Sequence, residues 1–331
     1  MKAAGPTLLV TSRERLQIVA EQEVAVAAMG ADDAMELFVA RAAASGVPVE
    51  PGPDVQSVCD RLDRLPLALQ LAAPRLKLFS IEQLLERFPS RLDLLQGGRD
   101  ADPRQATLRA TIAWSYDLLT EEERAVLDRL SVFAGGSSVS AAEAVAQADP
   151  DLLQGLLDKN MLQRRAEAEP RLWLLSSIQE FAAERLATHE DAAEVRKAHA
   201  GRYRDLAERA DAEIRAGEPE ELAVEAMTAE IDNLRAAVDF GIETGDGSLV
   251  RSITVALPMY WIMRDRYAEA RAWLERALAA SDVEDETRVR LLLAVATMAY
   301  RQGDHPVAIA ASDDAADLAM RLGASPTGPR I

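Results

Sequence analysis

The 331 residues allow two or three domains, and aromatic residues make up only 5% of a chain rich in Ala, Leu, Arg and Glu, which favours helix over sheet. The net charge of −18 works against binding to phosphate backbones and anionic membrane surfaces. A single cysteine, Cys59, excludes an internal disulfide, and no apolar segment is long enough to span a bilayer, so we expect a cytoplasmic protein.

The chain opens with a short apolar run, Leu8–Val10, that is followed by Thr11, Ser12 and Arg13. Such a run is typical of a buried strand in a parallel sheet. An arginine just past the carboxyl end of a parallel strand points toward the crevice in which nucleotides bind, where it can sense a γ-phosphate. No segment nearby offers parallel partners, so we expect this strand to be mobile or to lie on the following helices. A surface arginine after an ordinary strand is the alternative.

A helical region is predicted from Asp32, with Asp32 or Asp33 as the capping residue. Prolines and glycines over residues 46–53 predict a loop. Pro66 interrupts the next helical stretch, and together with Leu65 it could present a flat apolar surface to a nucleotide base. A kinked core helix is the alternative for this segment. Further helices are predicted from Asp54, over Leu67–Leu78 with a kink at Pro74, and over Ile81–Arg87.

The middle of the chain has the order of elements that is typical of a winged helix. Thr120 and Glu123 have the spacing of a capping box, which predicts the start of a helix. Three helices that end with Asp151–Asp158 are followed by two short predicted strands, Met161–Arg165 and Arg171–Leu175. The sequence therefore predicts a small helical domain that closes with a β-hairpin.

The helix that would enter the major groove of DNA carries two carboxylates, Asp151 and Asp158, and only one cation, Lys159. Those carboxylates oppose the phosphate field of DNA. The basic residues of the hairpin, which could touch a backbone, are Arg164, Arg165 and Arg171. A charged hairpin is more often a solvated face, so we expect no direct nucleic-acid binding by this chain.

The remainder of the chain, from about Asp191, is predicted to be helical throughout. Two similar segments, Arg264–Ala270 and Gln302–Ala308, lie between paired helices at an offset close to the period of helical-hairpin repeats. The sequence therefore predicts a solenoid of repeats in this part of the chain.

The sequence contains no constellation that is typical of an enzyme. A P-loop requires glycines followed by Lys and then Ser or Thr, and no lysine in the chain has this context. The histidines are far apart, and no HExxH or GxSxG pattern occurs. We therefore expect neither catalysis nor metal binding by this chain. The lysines are Lys2, Lys77, Lys159 and Lys197, and the histidines are His189, His199 and His305.

Taken in order, these segments resemble the STAND class of NTPases, which includes the NB-ARC switches, and in particular bacterial regulators of the AfsR and large LuxR type. In that group the strand and its Thr-Ser-Arg segment sense the terminal phosphate, which implies this role for Arg13 with Thr11 and Ser12. The Leu-Pro-Leu segment of the helical domain packs on adenine, which implies that role for Pro66 and Leu65. Further matching segments are Thr107–Leu119, Ser131–Gly136, Leu174–Ala182 and Glu230–Ala237.

Two features of the sequence depart from that group. The phosphate-binding half of the ATPase core does not occur in these residues. In many NB-ARC switches a Met-His-Asp triplet leaves the wing and its His contacts ADP, whereas this chain has Leu174, Leu175 and Ser176 there. We therefore expect no contact with ADP through an imidazole at this place.

The resemblance implies a mainly α-helical protein in four parts. Residues 1–25 would be a remnant of the NTPase core, with one residual strand of an α/β sheet. Residues 26–100 would form the helical domain of the NTPase module, and residues 101–188 a winged helix with a small β-hairpin. Residues 189–331 would form a truncated set of tetratricopeptide-like α-solenoid repeats.

The resemblance further implies a signalling or transcriptional regulator that is switched by ATP and ADP in its full-length form, with no nucleotide held tightly by this chain alone. The winged helix would act as a rigid lever, and the repeats would bind a protein partner or effector. Two alternatives stay open. One is a stand-alone repeat scaffold that binds a protein and never a nucleotide, and the other is a winged-helix DNA-binding protein.

Overall fold

The computed structural model describes Gln22, Val24 and residues 26–86, 108–165 and 170–323. These residues form two compact units. The first unit comprises the described residues up to Ser131 together with Gly136–Glu190, and the second comprises Val132–Gly135 and residues 191–323. The fold is mainly α-helical with one two-stranded antiparallel sheet, which confirms the predicted fold class. The predicted strand at residues 8–10 lies outside the described residues.

The first unit begins with a cluster of short helices in which α1 packs against α2, α3 and the 3-10 turn. Phe38 and Leu69 are fully buried at its centre. The helices are α1 (Ala31–Ala44), α2 (Pro53–Arg61), α3 (Pro66–Ala72) and α4 (Ile81–Glu86), with the 3-10 turn at Ala73–Lys77.

Two details of this cluster differ from the prediction. Helix α1 begins after Gly30 without a side-chain cap, so the assignment of Asp32 or Asp33 as the cap was wrong. Both carboxylates lie in the first turn, where their negative charge interacts favourably with the positive end of the helix dipole. The helix predicted over Leu67–Leu78 changes to a 3-10 turn at Ala73, because Pro74 has no amide to donate to an α-helical hydrogen bond.

The rest of the first unit contains four helices, a hairpin and a final helix, in the predicted order. The predicted capping box is present, since Glu123 N donates to Thr120 Oγ1 at 3.2 Å and Thr120 N donates to Glu123 Oε2 at 2.7 Å. The hairpin strands are shorter than predicted and pair Arg164 with Leu172. The elements are α5 (Leu108–Asp117), α6 (Glu121–Leu130), α7 (Val139–Ala146), α8 (Pro150–Asp158), β1 (Gln163–Arg165), β2 (Arg171–Trp173) and α9 (Ser176–Leu186).

The second unit is a run of helices whose buried residues include Tyr203, Met227 and Trp261. Pro258 is the first residue of α14 and follows the end of α13 at Val255 by three positions, and its fixed φ and missing amide suit the first helical position. The helices are α10 (Ala192–Arg215), α11 (Glu220–Ala229), α12 (Ile231–Thr244), α13 (Gly247–Val255), α14 (Pro258–Met263), α15 (Tyr267–Ala279), α16 (Glu286–Arg301) and α17 (His305–Arg321).

Several arginine–carboxylate pairs connect helices of the second unit, and some of them share a nearly constant sequence separation. Three such pairs join residues that are 34, 34 and 33 positions apart. A constant separation means that equivalent positions of consecutive hairpins face each other, as in a repeat array. The pairs are Arg235 with Glu269, Arg251 with Asp285, and Arg271 with Asp304.

Candidate functional site

The turn between α2 and α3 contains the predicted base-contacting residues. Leu65 is the N-cap of α3 and is half-buried, while Pro66 is the first residue of α3 and is exposed. Asp63 and Arg64 precede them with φ angles of 54° and 50°, in the left-handed region that disfavours residues with a Cβ atom. The ring of Pro66 is therefore accessible to a ligand, at the end of a tightly bent turn.

The residues predicted to sense phosphate, Thr11, Ser12 and Arg13, lie outside the described residues, so that role stays a prediction. Within the described part of the chain, the turn offers an apolar edge for a base and no glycine-lysine cradle for phosphates. A nucleotide contact at this turn therefore stays a prediction.

Asp63 makes a contact that sequence reasoning missed. Its carboxylate accepts hydrogen bonds from Ser176 N at 3.1 Å, Ser177 N at 3.2 Å and Ser177 Oγ at 3.4 Å. These donors belong to the first turn of α9, the helix that follows the hairpin. The signal available in the sequence was an acidic residue directly before the Arg64–Leu67 segment.

A second polar cluster lies in the core of the first unit. Tyr116 Oη donates to Asp128 Oδ2 at 2.8 Å, and His189 Nε2 lies 3.1 Å from the same oxygen. The Asp128 side chain is fully buried, and its Oδ1 has no hydrogen-bond partner in the described part of the chain. The guanidinium groups of Arg124 and Arg185 lie 5.4 and 5.6 Å from the Tyr116 ring centroid.

Burial is the largest influence on both acidic groups of this cluster. It raises the pKa of Asp128 above its usual range, against the opposing hydrogen bond from Tyr116 and the charge of His189. It also raises the pKa of Tyr116 to about 12, with a further contribution from Asp128. Because no side of the carboxylate is open to solvent, the cluster is a polar core and not a site for a substrate.

The second unit has its own buried polar cluster, which includes part of a segment singled out from the sequence, Ser131–Gly136. The Phe133 ring packs edge-on against His199 at 5.3 Å between centroids, and Ala134 N donates to Asn233 Oδ1 at 2.9 Å. These contacts explain why Val132–Gly135 belong with the second unit although their chain neighbours belong to the first.

Asn233 and His199 are both buried in this cluster. Asn233 Nδ2 donates to Glu230 Oε2 at 2.8 Å, and its Oδ1 lies 3.3 Å from His199 Nε2. Burial lowers the pKa of His199 to about 4, although the hydrogen bond with Asn233 opposes that shift. Sequence reasoning placed Asn233 in a matching segment but did not identify its role.

Three of the four basic residues that could have met DNA, Lys159, Arg165 and Arg171, have side-chain partners within the chain, whereas Arg164 is exposed. Lys159 Nζ donates to both carboxylate oxygens of Glu123, at 2.7 and 2.6 Å. The Arg165 guanidinium lies over the Trp173 ring at 4.0 Å from its centroid, and Arg171 Nη2 donates to the Gly136 carbonyl at 3.1 Å. The expectation that this face does not bind phosphate backbones stays a prediction.

Among the described residues, no group of three or more His, Cys, Asp or Glu side chains is arranged to hold a metal ion. In the same part of the chain, none of the helices combines the length and the apolar character that a membrane crossing requires.

Comparisons with known proteins find relatives among mycobacterial proteins. Proteins of Mycobacterium tuberculosis and Mycobacterium bovis that are provisionally named HTH-type transcriptional regulators are 33% identical over 316 residues, which cover 90% of this chain and 34% of theirs. An uncharacterised M. tuberculosis protein is 34% identical over 229 residues, which cover 64% of this chain and 56% of that protein. The chain thus spans about a third of the length of the named regulators.

No protein-family model matches the sequence. Among solved structures, a Signal Transduction ATPase with Numerous Domains (STAND) protein with a tetratricopeptide repeat sensor, from Pyrococcus horikoshii, is similar with a TM-score of 0.28 and 14% identity. The match covers 89% of this chain and 54% of that protein. A TM-score this low does not establish a shared overall fold.

Proposed function

We propose that this chain is a portion of a STAND-type regulator that is switched by ATP and ADP. The observation that carries the proposal is the similarity to the named HTH-type transcriptional regulators across 90% of this chain. The order of a helical cluster, a helical domain with a hairpin and a helical array supports it, because this is the order that the resemblance implies. In this role the chain regulates and is not itself an enzyme.

In the proposed arrangement, the base of the nucleotide lies against Pro66 and Leu65, and Arg13 with Thr11 and Ser12 reads the terminal phosphate. The exposed position of Pro66 at the start of α3 supports the first part of this assignment. A P-loop would have to come from residues other than these 331, since none of their lysines has the required context. The helical repeats would then receive a protein partner or effector.

The proposal is tested by calorimetry of ATP and ADP binding to two proteins, the chain as given and the longest reading frame that contains it. We expect binding by the longer protein and no tight binding by the shorter. Tight binding by the chain alone would contradict the proposal, because it requires a phosphate site that the sequence lacks. If neither protein binds nucleotide, the repeat-scaffold function is favoured instead.

Two substitutions in the longer protein separate the assigned roles. Arg13→Ala should weaken ATP binding by roughly 10- to 100-fold and ADP binding much less, because charge-assisted hydrogen bonds contribute about 1.5–3 kcal/mol. Pro66→Ala should weaken both nucleotides to a similar and smaller extent, since an apolar contact with the base is common to both. Pro74→Ala is a matched proline control outside this turn and should leave binding unchanged.

The second candidate function is a repeat scaffold for a protein partner. The observation that favours it is that α16 and α17 expose large apolar side chains. Clustered exposed apolar side chains often mark a surface that binds another protein. A partner identified by cross-linking to the full chain should be lost with Ile309→Glu and retained with Pro66→Ala if this function holds. The exposed side chains are Leu293, Tyr300, Ile309 and Met320.

A further inference from the structure

The amino end of α9 is not capped by a side chain of its own N-cap residue. Its N-cap is Leu175, which offers no side-chain cap, and its first turn contains no acidic residue. The first amides of a helix lack hydrogen-bond partners within the helix. The negative charge of a carboxylate near them also interacts favourably with the positive end of the helix dipole. A carboxylate acceptor for these amides comes from Asp63, 113 residues earlier in the chain.

The turn that carries Asp63 is held in a defined conformation. Asp63 N donates to the Asp60 carbonyl at 3.0 Å and Arg64 N to the Cys59 carbonyl at 3.0 Å, so both residues extend the end of α2. Pro66, at the start of α3, fixes φ for the next helix. A carboxylate on such a turn loses little further freedom when it binds α9, which strengthens the contact.

The contact joins two clusters of helices in the first unit. Helices α1–α4 pack among themselves around α1, and α6 packs against α7, α8 and α9 in the rest of the unit. Asp63 belongs to the first cluster, whereas Ser176 and Ser177 belong to the second. The carboxylate of Asp63 therefore connects the two clusters through three hydrogen bonds.

We propose that Asp63 is a latch that holds the α1–α4 cluster to the amino end of α9. While the latch is closed, the Leu65–Pro66 segment stays beside the segment that leaves the hairpin. When the carboxylate is withdrawn, the α1–α4 cluster is free to change its position relative to α5–α9. The use of this movement in nucleotide switching rests on the proposed function, whereas the latch itself does not.

The latch is tested in the full chain without nucleotide, by amide hydrogen exchange and by a distance between two spin labels. Glu36 on α1 and Glu143 on α7 are exposed and become the labelled cysteines, in a Cys59→Ala background that removes the single native thiol. The test variant is Asp63→Ala. The matched control is Asp60→Asn, which removes a carboxylate three residues earlier that pairs with Arg64 and not with α9.

We expect Asp63→Ala to speed exchange at Ser176 and Ser177 by roughly tenfold, the effect of losing a typical helix cap. The distance distribution between the two labels should broaden or shift, and Asp60→Asn should match the parent protein in both measurements. Should Asp63→Ala fail to fold, Asp63→Asn, which keeps one acceptor oxygen, is measured in the same way with a smaller expected effect.

An unchanged distance distribution would overturn the latch even if exchange becomes faster, because Asp63 would then cap α9 without positioning the α1–α4 cluster. Unchanged exchange would overturn the contact itself. Neither result bears on ATP binding by the longer protein, so failure of the latch and failure of the proposed function can be told apart.

Discussion

The core of the first unit buries a carboxylate, Asp128, whereas the core of the second unit buries an imidazole, His199. Both groups have hydrogen-bonding neighbours, and burial shifts the pKa of each toward its neutral form. The shifts have opposite consequences for stability. Burial favours the neutral form of each group. For the carboxyl group of Asp128 this is the protonated form, whereas for the imidazole of His199 it is the deprotonated form.

This difference predicts different responses of the two units to acid. The folded-state pKa of Asp128 is raised, so the stability that this group contributes is present at low pH and falls as the pH rises through that pKa. His199 has a lowered folded-state pKa, so its contribution is present above about pH 6.5 and falls as the pH drops toward about 4. Acidification should therefore weaken the second unit first.

The largest effect is expected from Asn233→Ala in the second unit. The substitution removes the acceptor of Ala134 N and the neighbour of His199, which leaves buried polar groups without partners. We expect a loss of about 2–3 kcal/mol in the free energy of unfolding, measured by urea denaturation. Hydrogen exchange should accelerate in residues 132–135 and in α12 and stay unchanged in the first unit.

Glu230→Gln is the matched control for that substitution, because a glutamine can still accept the hydrogen bond from Asn233 Nδ2. Its effect should be below about 0.5 kcal/mol. An equally large effect of both substitutions would mean that the charge of Glu230, and not the amide of Asn233, stabilises the cluster.

The next effect concerns acid and His199. Between pH 6.5 and 4 the unfolded chain binds a proton at this residue that the folded chain does not bind, so the second unit should lose about 2 kcal/mol by pH 4.5. Unfolding measured from pH 7 to pH 4 by hydrogen exchange resolves the two units. His199→Gln should flatten this pH dependence, and a slope that survives the substitution would contradict the assignment to His199.

In the first unit, Tyr116→Phe removes the hydroxyl that donates to Asp128. We expect a loss of about 1.5 kcal/mol at pH 7, because a donor to a buried carboxylate is removed. The loss should shrink as the pH falls, since a protonated Asp128 depends less on that donor. Thermal unfolding of both proteins at pH 7 and pH 4.5 measures this loss. A loss that grows in acid would contradict the role of Tyr116 as a donor to the Asp128 carboxylate.

The smallest effect is expected where the two units end their helices differently. Helix α12 ends at Gly245 with φ 71°, which glycine adopts without strain, whereas α2 is followed by Asp63 and Arg64 in the same region. Arg64→Gly should stabilise the first unit by about 0.5–1 kcal/mol, because left-handed strain is relieved and only an exposed pair with Asp60 is lost.

Arg64→Ala is the control for that substitution, since it loses the same ion pair and keeps the strained φ. It should be neutral or slightly destabilising in urea unfolding. If both substitutions stabilise the protein to the same extent, the destabilisation at this position comes from the arginine side chain and not from the backbone conformation.

Much of the fold could be predicted because the deciding signals are local. The capping box at Thr120 and Glu123 starts a helix through contacts three residues apart, and the sequence shows both partners. Pro66 was predicted to interrupt a helical stretch through its own missing amide, and α3 begins at this residue. The repeat period is likewise visible in the sequence, because equivalent segments recur in it.

The sequence by itself determined the helical fold class and the order of its elements, because propensity, capping and periodicity act within a few residues. Only the tertiary structure decided that Asp63 binds the first turn of α9, that Asn233 holds Ala134 and that Asp128 is buried beside Tyr116. Asp63 and Asn233 meet partners 113 and 99 residues away, and the burial of Asp128 depends on how whole helices pack. A local sequence pattern predicts neither a contact between residues so far apart nor burial that results from the packing of whole helices.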